Sequence, residues 1–223
     1  MPAPILFIGN KNYSSWSMRP WLALRWGGIA FEERVIPLGG EGYGKSKIKD
    51  VLAVSPSGRV PALHIEGVII NDSLSICEWA AEQAPSLWPR EPLKRALARS
   101  AAAEMHSGFA ALRGALSMNV RRRMEQAPAL DADVHADLQR LFELWSGLRA
   151  SHGAGGPYLF GARSVADAMY APVATRLRTY AIETPPVVAA YCATIFADDA
   201  FRAWEQGAEA EPWTIASAES LYR

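Results

Sequence analysis

Three hydroxyls crowd into four positions, Ser14, Ser15 and Ser17, within the stretch Tyr13-Ser14-Ser15-Trp16-Ser17-Met18-Arg19-Pro20-Trp21-Leu22-Ala23-Leu24. They fall between a short apolar run and a stretch with helix-forming character. A serine oxygen at a helix start accepts a hydrogen bond from first-turn amides that otherwise have no partner, so one serine is explained as a cap. With Ser15 or Ser17 in that role, Pro20 falls in the first turn, where its missing N–H would have had no acceptor anyway. One cap uses one serine. The spare hydroxyls and free amides lie at the positive end of a helix, which suits an anion, a thiolate included.

The elements around the serines follow from pattern. Ile5-Leu6-Phe7-Ile8 reads as a buried strand closed by Gly9-Asn10, and the helix after the serines runs to Gly27-Gly28. Glu33-Arg34-Val35-Ile36-Pro37-Leu38 reads as a second strand, parallel to the first because a helix makes the crossover. The glycine-rich run 39–44 lacks the Lys-Ser/Thr ending of a phosphate loop and reads as flexible connection. Lys45 to Leu52 is expected as a short polar helix, Arg59 to Ile65 as a strand with Pro61 at its start, and Val68-Ile69-Ile70 as its antiparallel partner after Glu66-Gly67. Asp72 then caps a helix running to about Gln83. Residues 1–84 thus form a mixed α/β unit.

Pro85, Pro89 and Pro92 make 85–92 a stiff linker, and 93–223 reads as all-helical. A long alanine-rich helix is expected from Leu93 to about Met124, with Arg121-Arg122-Arg123 as its solvated end. A second starts near Asp131, with Leu138, Leu141, Phe142, Trp145 and Leu148 as its core stripe. Ser164 followed by Asp167 is a capping box with Asp in place of Glu. Further helices are expected from Pro185-Pro186 and from the 198–207 region.

Half of the 223 residues are hydrophobic, and Lys+Arg and Asp+Glu both number 23. A net charge near zero argues against a nucleic-acid binder that works by broad phosphate neutralisation. No apolar run approaches the roughly 18 residues of a membrane span, and no secretory signal is visible, so a cytoplasmic location is expected. Cys77 and Cys192 are far apart in apolar helical contexts and read as buried free thiols. His64, His106, His135 and His152 have no metal-ligand spacing, so no metal is expected.

The order of elements, the serine cluster, Val60-Pro61 before a strand, Asp72-Ser73 at a helix start, the proline linker and Ser164-x-x-Asp167 together resemble a cytosolic glutathione transferase. The first stretch is most similar to the zeta class, whose signature is Ser-Ser-Cys-Ser-Trp-Arg. Here that register reads Ser14-Ser15-Trp16-Ser17-Met18-Arg19. Trp16 replaces the cysteine, which opposes any step that uses the enzyme's own thiol.

The resemblance implies a thioredoxin-like N-terminal domain followed by an all-helical C-terminal domain, with glutathione as co-substrate and no metal. It implies that Ser14 or Ser15 donates to the glutathione sulfur. The Val60 backbone would meet the cysteinyl backbone, and Asp72 and Ser73 the γ-glutamyl end. Arg59 and Lys45 would face the glycyl carboxylate, and His106 would reach glutathione from the helical side. Ser17, Arg19, Arg113 and Arg178 are candidates for the second substrate. The implied function is attack of a glutathione thiolate on a small electrophile by a homodimer. Alternatives are cis-trans isomerisation of a maleyl-diketo acid and a non-catalytic glutathione- or partner-binding protein.

Overall fold

Alternation along the first strand sets up two layers. In the computed structural model, which describes residues 3–222, β1 (Ile5–Gly9) sends Leu6 and Ile8 into the large core shared with the helices. Its Phe7 goes to a smaller cluster with Ile36, Val51 and Ala62 on the opposite face. Met1, Pro2 and Arg223, at the outer ends of the two expected units, lie outside the described residues. β2 (Glu32–Ile36) pairs with β1 in parallel, Phe7 opposite Arg34. β3 (Ala62–Ile65) pairs with β1 antiparallel, and β4 (Val68–Asn71) with β3, giving the order β2-β1-β3-β4. This is the expected thioredoxin-like sheet.

Helices α1 (Ser15–Trp26) and α3 (Ser73–Gln83) pack together on the large-core face, while α2 (Lys49–Leu52) covers the other through Val51. α2 is shorter than the helix expected over 45–52. The preceding residues are wound into turns by Gly42, whose φ of +82° no other residue adopts easily and whose Cβ would lie 2.5 Å from the Lys47 carbonyl.

After a 3₁₀ turn (Pro85–Leu87), α4 (Pro92–Ser107) is capped by Glu91, which accepts from the amides of Leu93 and Lys94. The single helix expected to Met124 does not form. Gly108 leaves helical geometry and Phe109 turns left-handed at φ +54°, which drops its ring into the core edge-on to Tyr170. Only α5 (Ala110–Ala115) follows, and residues 116–131 are irregular. Arg121, Arg122 and Arg123 therefore end no helix. Arg121 donates to the Glu211 and Trp213 carbonyls at 2.7 and 2.9 Å, Arg122 to Tyr222 at 2.7 Å, and Arg123 pairs with Glu205. Together they fasten the terminal segment.

α6 (Ala132–His152) starts at the Asp131 cap and buries Leu138, Leu141, Trp145 and Leu148, with Phe142 half-buried. α7 (Val165–Thr179) is the central helix of this half, nearly all of it buried. α8 (Pro186–Ala197) and α9 (Asp199–Ala210) lie at the expected places. α10 (Ala216–Glu219) carries no sequence signal that announced it. Among the described residues no helix is long and apolar enough to cross a membrane. Cys77 and Cys192 are buried free thiols.

The capping box at α7 is a complete buried network. The Asp167 carboxylate accepts from the amides of Leu159 and Ser164, the Ser164 hydroxyl and the Tyr191 hydroxyl, all at 2.8–3.0 Å. Complete burial nevertheless pushes its pKa up to about 6. Asp167→Ala orphans four buried donors and should lose about 3 kcal/mol or more in denaturant titrations. Asp167 is protonated to a higher pH folded than unfolded, so its contribution is greatest below pH 4. The measured loss should shrink as pH rises from 4 to 6. A loss that grows across that window would refute the burial of a reluctant carboxylate.

Candidate functional site

An open groove of about 600 Å³ runs along the edge of the sheet at the start of α1. Its walls are Tyr13 to Trp16, the loop through Gly42, Tyr43, Gly44 and Ser46, the segment Ser57–Pro61, Asn71–Ser73, and His106 from α4. The glycine run that read as mere connection is thus one wall of the groove.

The serines do not cap α1 as expected. Ser14 occupies the cap position and makes no capping bond; its hydroxyl donates to Ser17 Oγ at 2.8 Å, which also accepts the Gly9 amide at 3.1 Å. Ser15 Oγ accepts from Arg176 Nη2 at 3.2 Å. Because the helix starts at Ser15, Pro20 stands inside it, beyond the first turn. The helix end is left uncapped where it opens onto the groove, and both Ser14 and Ser15 line that groove. Ser17 is fully buried and holds the end of β1, so the structure does not bring it to a substrate.

At the opposite end, the Val60–Pro61 peptide is cis and lines the groove. Asp72 has φ +147°, a strained value for a residue with a side chain. Its Oδ1 caps α3 through the amides of Leu74 and Ser75, and its Oδ2 lies 3.3 Å from His106 Nε2. The buried hydroxyl of Ser73 and Nδ1 of His106 have no partner among the described residues. Arg59 lines the groove and donates to Ser46 Oγ at 3.2 Å. Lys45 is exposed and is not among the lining residues, because the turn presents Tyr43 and Ser46 instead.

Behind the serines the charge is concentrated. Arg19 is fully buried, and none of its three guanidinium nitrogens meets an acceptor among the described residues. Its Cζ lies 4.2 Å from the Trp16 ring. Burial lowers its pKa to about 9, helped by Arg176 and Arg113, with Cys77 and Asp72 acting weakly the other way. Arg176, 4% exposed, donates to the Leu116 carbonyl at 2.7 Å and to Ser15, and its Nη1 is unpartnered. Burial, then Arg113, brings it down to about 10. Arg113 stands 5.3 Å from the Trp16 ring.

Arg178 does not join this group. Two residues along a helix is a turn of about 200°, so it leaves on the other side of α7, pairs with Glu205 and stacks 4.1 Å over Phe196. Arg176, missed in the sequence, stands there two residues before Arg178 at the end of a long apolar helical run. Other unpartnered buried atoms belong to Asn10, Trp145 and Arg178, while those of Ser73, His106, Arg19 and Arg176 line the groove or stand directly behind it.

Residues 13–83 match the family model for the glutathione S-transferase N-terminal domain. The first part of the chain is similar to that domain. The probable maleylacetoacetate isomerase of Caenorhabditis elegans is 33% identical over 108 residues, 48% of each chain, so that match spans about half the relative's length. The maleylacetoacetate isomerase of Rattus norvegicus is 27% identical over 186 residues, 82% of each chain. The theta class glutathione S-transferase of Xanthomonas axonopodis pv. citri, solved with glutathione bound, superposes with a TM-score of 0.64 at 26% identity, over 91% of this chain and 97% of that one. Over most of its length the chain is similar to a maleylacetoacetate isomerase and to a theta class glutathione S-transferase.

In this groove Ser17 is a structural hydroxyl. Ser17→Ala leaves the buried Gly9 amide without its acceptor and should cost about 1–3 kcal/mol in thermal or denaturant unfolding. An unchanged unfolding midpoint would remove Ser17 from that role.

Proposed function

We propose that the groove binds glutathione, keeps its sulfur as the thiolate beside Ser14 and Ser15, and presents it to a small electrophile. The observation that carries this reading is the uncapped N-terminus of α1, which opens onto the groove with both hydroxyls at its lip. A free thiol titrates at about pH 8.5, and a positive helix end with hydroxyl donors lowers that value. Ser15 is backed by the Arg176 cation, which takes up one of its lone pairs and leaves its proton for the sulfur. Ser14 can turn its hydroxyl from Ser17 to the sulfur while Ser17 keeps the Gly9 amide. The thiolate attacks the electrophile, an S–C bond forms, and the displaced group leaves with its electron pair.

The same reading gives the Val60 backbone to the cysteinyl amide, and the Asp72 carboxylate and the orphan Ser73 hydroxyl to the γ-glutamyl amino and carboxylate groups. His106, held by Asp72, adds a donor from the helical side. Arg59 faces the glycyl carboxylate, and Lys45 contributes charge at the rim. The proposed division is a glutathione-binding domain over 1–84, a linker over 85–92 and a helical domain over 93–223. Buried free cysteines agree with the proposed cytoplasmic setting.

One observation favours an acidic second substrate and the isomerase alternative. Arg19 and Arg113 lie against Trp16, Arg176 stands at Ser15 close enough to lower the pKa of Arg19, and none of the three is in a salt bridge with a described residue. A substrate carboxylate would supply the missing counter-charge where Trp16 lets it reach them. In that reaction the thiolate adds to a cis double bond, the resulting single bond rotates, and the thiolate departs to leave the trans product. The relatives named maleylacetoacetate isomerase support it.

Ser14→Ala and Ser15→Ala should each reduce kcat/KM for conjugation of a chromogenic aryl halide by about 10- to 100-fold, the size of a hydrogen bond to a charged group. The ultraviolet thiolate absorbance of bound glutathione should shift to higher pH with them. Full activity in both variants rules out the serine role, and glutathione binding without any turnover, isomerisation of a maleyl-diketo acid included, leaves a non-catalytic binder. A homodimer is also proposed. Leu93 and Leu97, one turn apart on α4, are 75% and 45% exposed, and Val68 on edge strand β4 is 58% exposed. Analytical ultracentrifugation should give twice the chain mass, and Leu93→Glu with Leu97→Glu should give the monomer; a wild-type monomer would refute the assembly.

A further inference from the structure

Trp16 stands where the groove, the serines and the arginine cluster meet. Its indole lines the groove beside Ser15, touches the His106 ring edge-on at 5.4 Å, and has Arg19 at 4.2 Å and Arg113 at 5.3 Å. The indole itself is only half-buried, while the guanidinium it covers is wholly buried and has no acceptor at any nitrogen among the described residues. An aromatic face returns to a cation much less than the hydration it has lost. A carboxylate would return far more, through two acceptor oxygens that match the guanidinium fork.

We infer that Trp16 is the specificity gate of this groove, closing it off from the guanidinium groups of Arg19 and Arg113. With the indole in place, the space next to the sulfur ends in an apolar ring that stacks on neutral planar electrophiles. With the indole removed, the groove continues to these two cations and accepts a small dicarboxylate. A tryptophan that served only to fill the core would be buried on all sides, as Trp145 and Trp204 are. The inference rests on the proposed glutathione site, since the gate is defined relative to the sulfur.

Calorimetric titration with maleate, run with and without saturating glutathione, tests it. Trp16→Ala and Trp16→Leu should bind maleate at least about tenfold more tightly than wild type, the size of one good charge-assisted hydrogen bond. Trp16→Phe, which keeps a ring over Arg19, should remain near the wild-type value. Adding Arg113→Gln to Trp16→Ala should abolish most of the gain. The aryl halide kcat/KM should fall severalfold in Trp16→Ala as the stacking face is lost. Equal maleate affinity in wild type, Trp16→Ala and Trp16→Leu overturns the gate, and so does a gain that survives Arg113→Gln. Absence of glutathione binding in the wild-type titration refutes the underlying site instead, a result read separately from the maleate arm.

Discussion

Ten of the twelve residues of α1 are buried, because the helix lies between the sheet on one side and α7 of the helical half on the other. A helix enclosed in this way cannot rotate or slide without disturbing both layers. Its entry is fixed as well. The amides of Lys11 and Asn12 donate to the Glu211 carboxylate, Trp204 Nε1 donates to the Lys11 carbonyl, and the Val120 amide donates to the Asn12 carbonyl. The helical half therefore grips the turn that leads into α1. The direction of the uncapped end follows, and with it the position of Ser14 and Ser15. The Arg176–Ser15 bond is the last link of that grip, made at the point where the sulfur is proposed to lie.

Buried polar groups are treated in two ways in this molecule. Asp198, which serves the architecture, is satisfied. It takes the Trp26 indole, the Tyr158 hydroxyl, Arg163 and the first amides of α9. Its pKa lies below the usual carboxylate range through those partners, against the opposing effect of burial. Around the groove, by contrast, a serine hydroxyl, a histidine nitrogen and two guanidinium groups are left wanting. Buried unsatisfied groups are costly, and their gathering at one groove is a physical mark of a site that a ligand completes.

Much of the first half was legible because its signals are local. Alternation in Ile5-Leu6-Phe7-Ile8 fixes which side chains face which layer, and the short acidic side chain of Asp72 announces the α3 cap without any tertiary information. The helix expected from Leu93 to Met124 failed for the opposite reason. Alanines and arginines favour helix throughout, but burying the Phe109 ring against Tyr170 requires a turn after Gly108, and core burial outweighs propensity. Once the helix had ended there, Arg121 and Arg122 could reach carbonyls about ninety to a hundred residues away. No local pattern encodes such a partner.

By itself the sequence determined the order and type of most elements, the serine cluster at a helix start, the Asp72-Ser73 helix entry and the likeness to a family. Each is set by neighbours within a few residues or by a motif read directly. Only the tertiary structure decided what those serines do. Ser17 turns to β1, Ser14 follows it, and Ser15 takes Arg176, so the helix end is left open and not capped. It also separated Arg176 from Arg178, which the sequence presents as near equivalents, and put Trp16 between the groove and Arg19. The reason is geometric. Which side of a buried helix a charge leaves from is fixed by the elements packed around it, and those are far away in the chain.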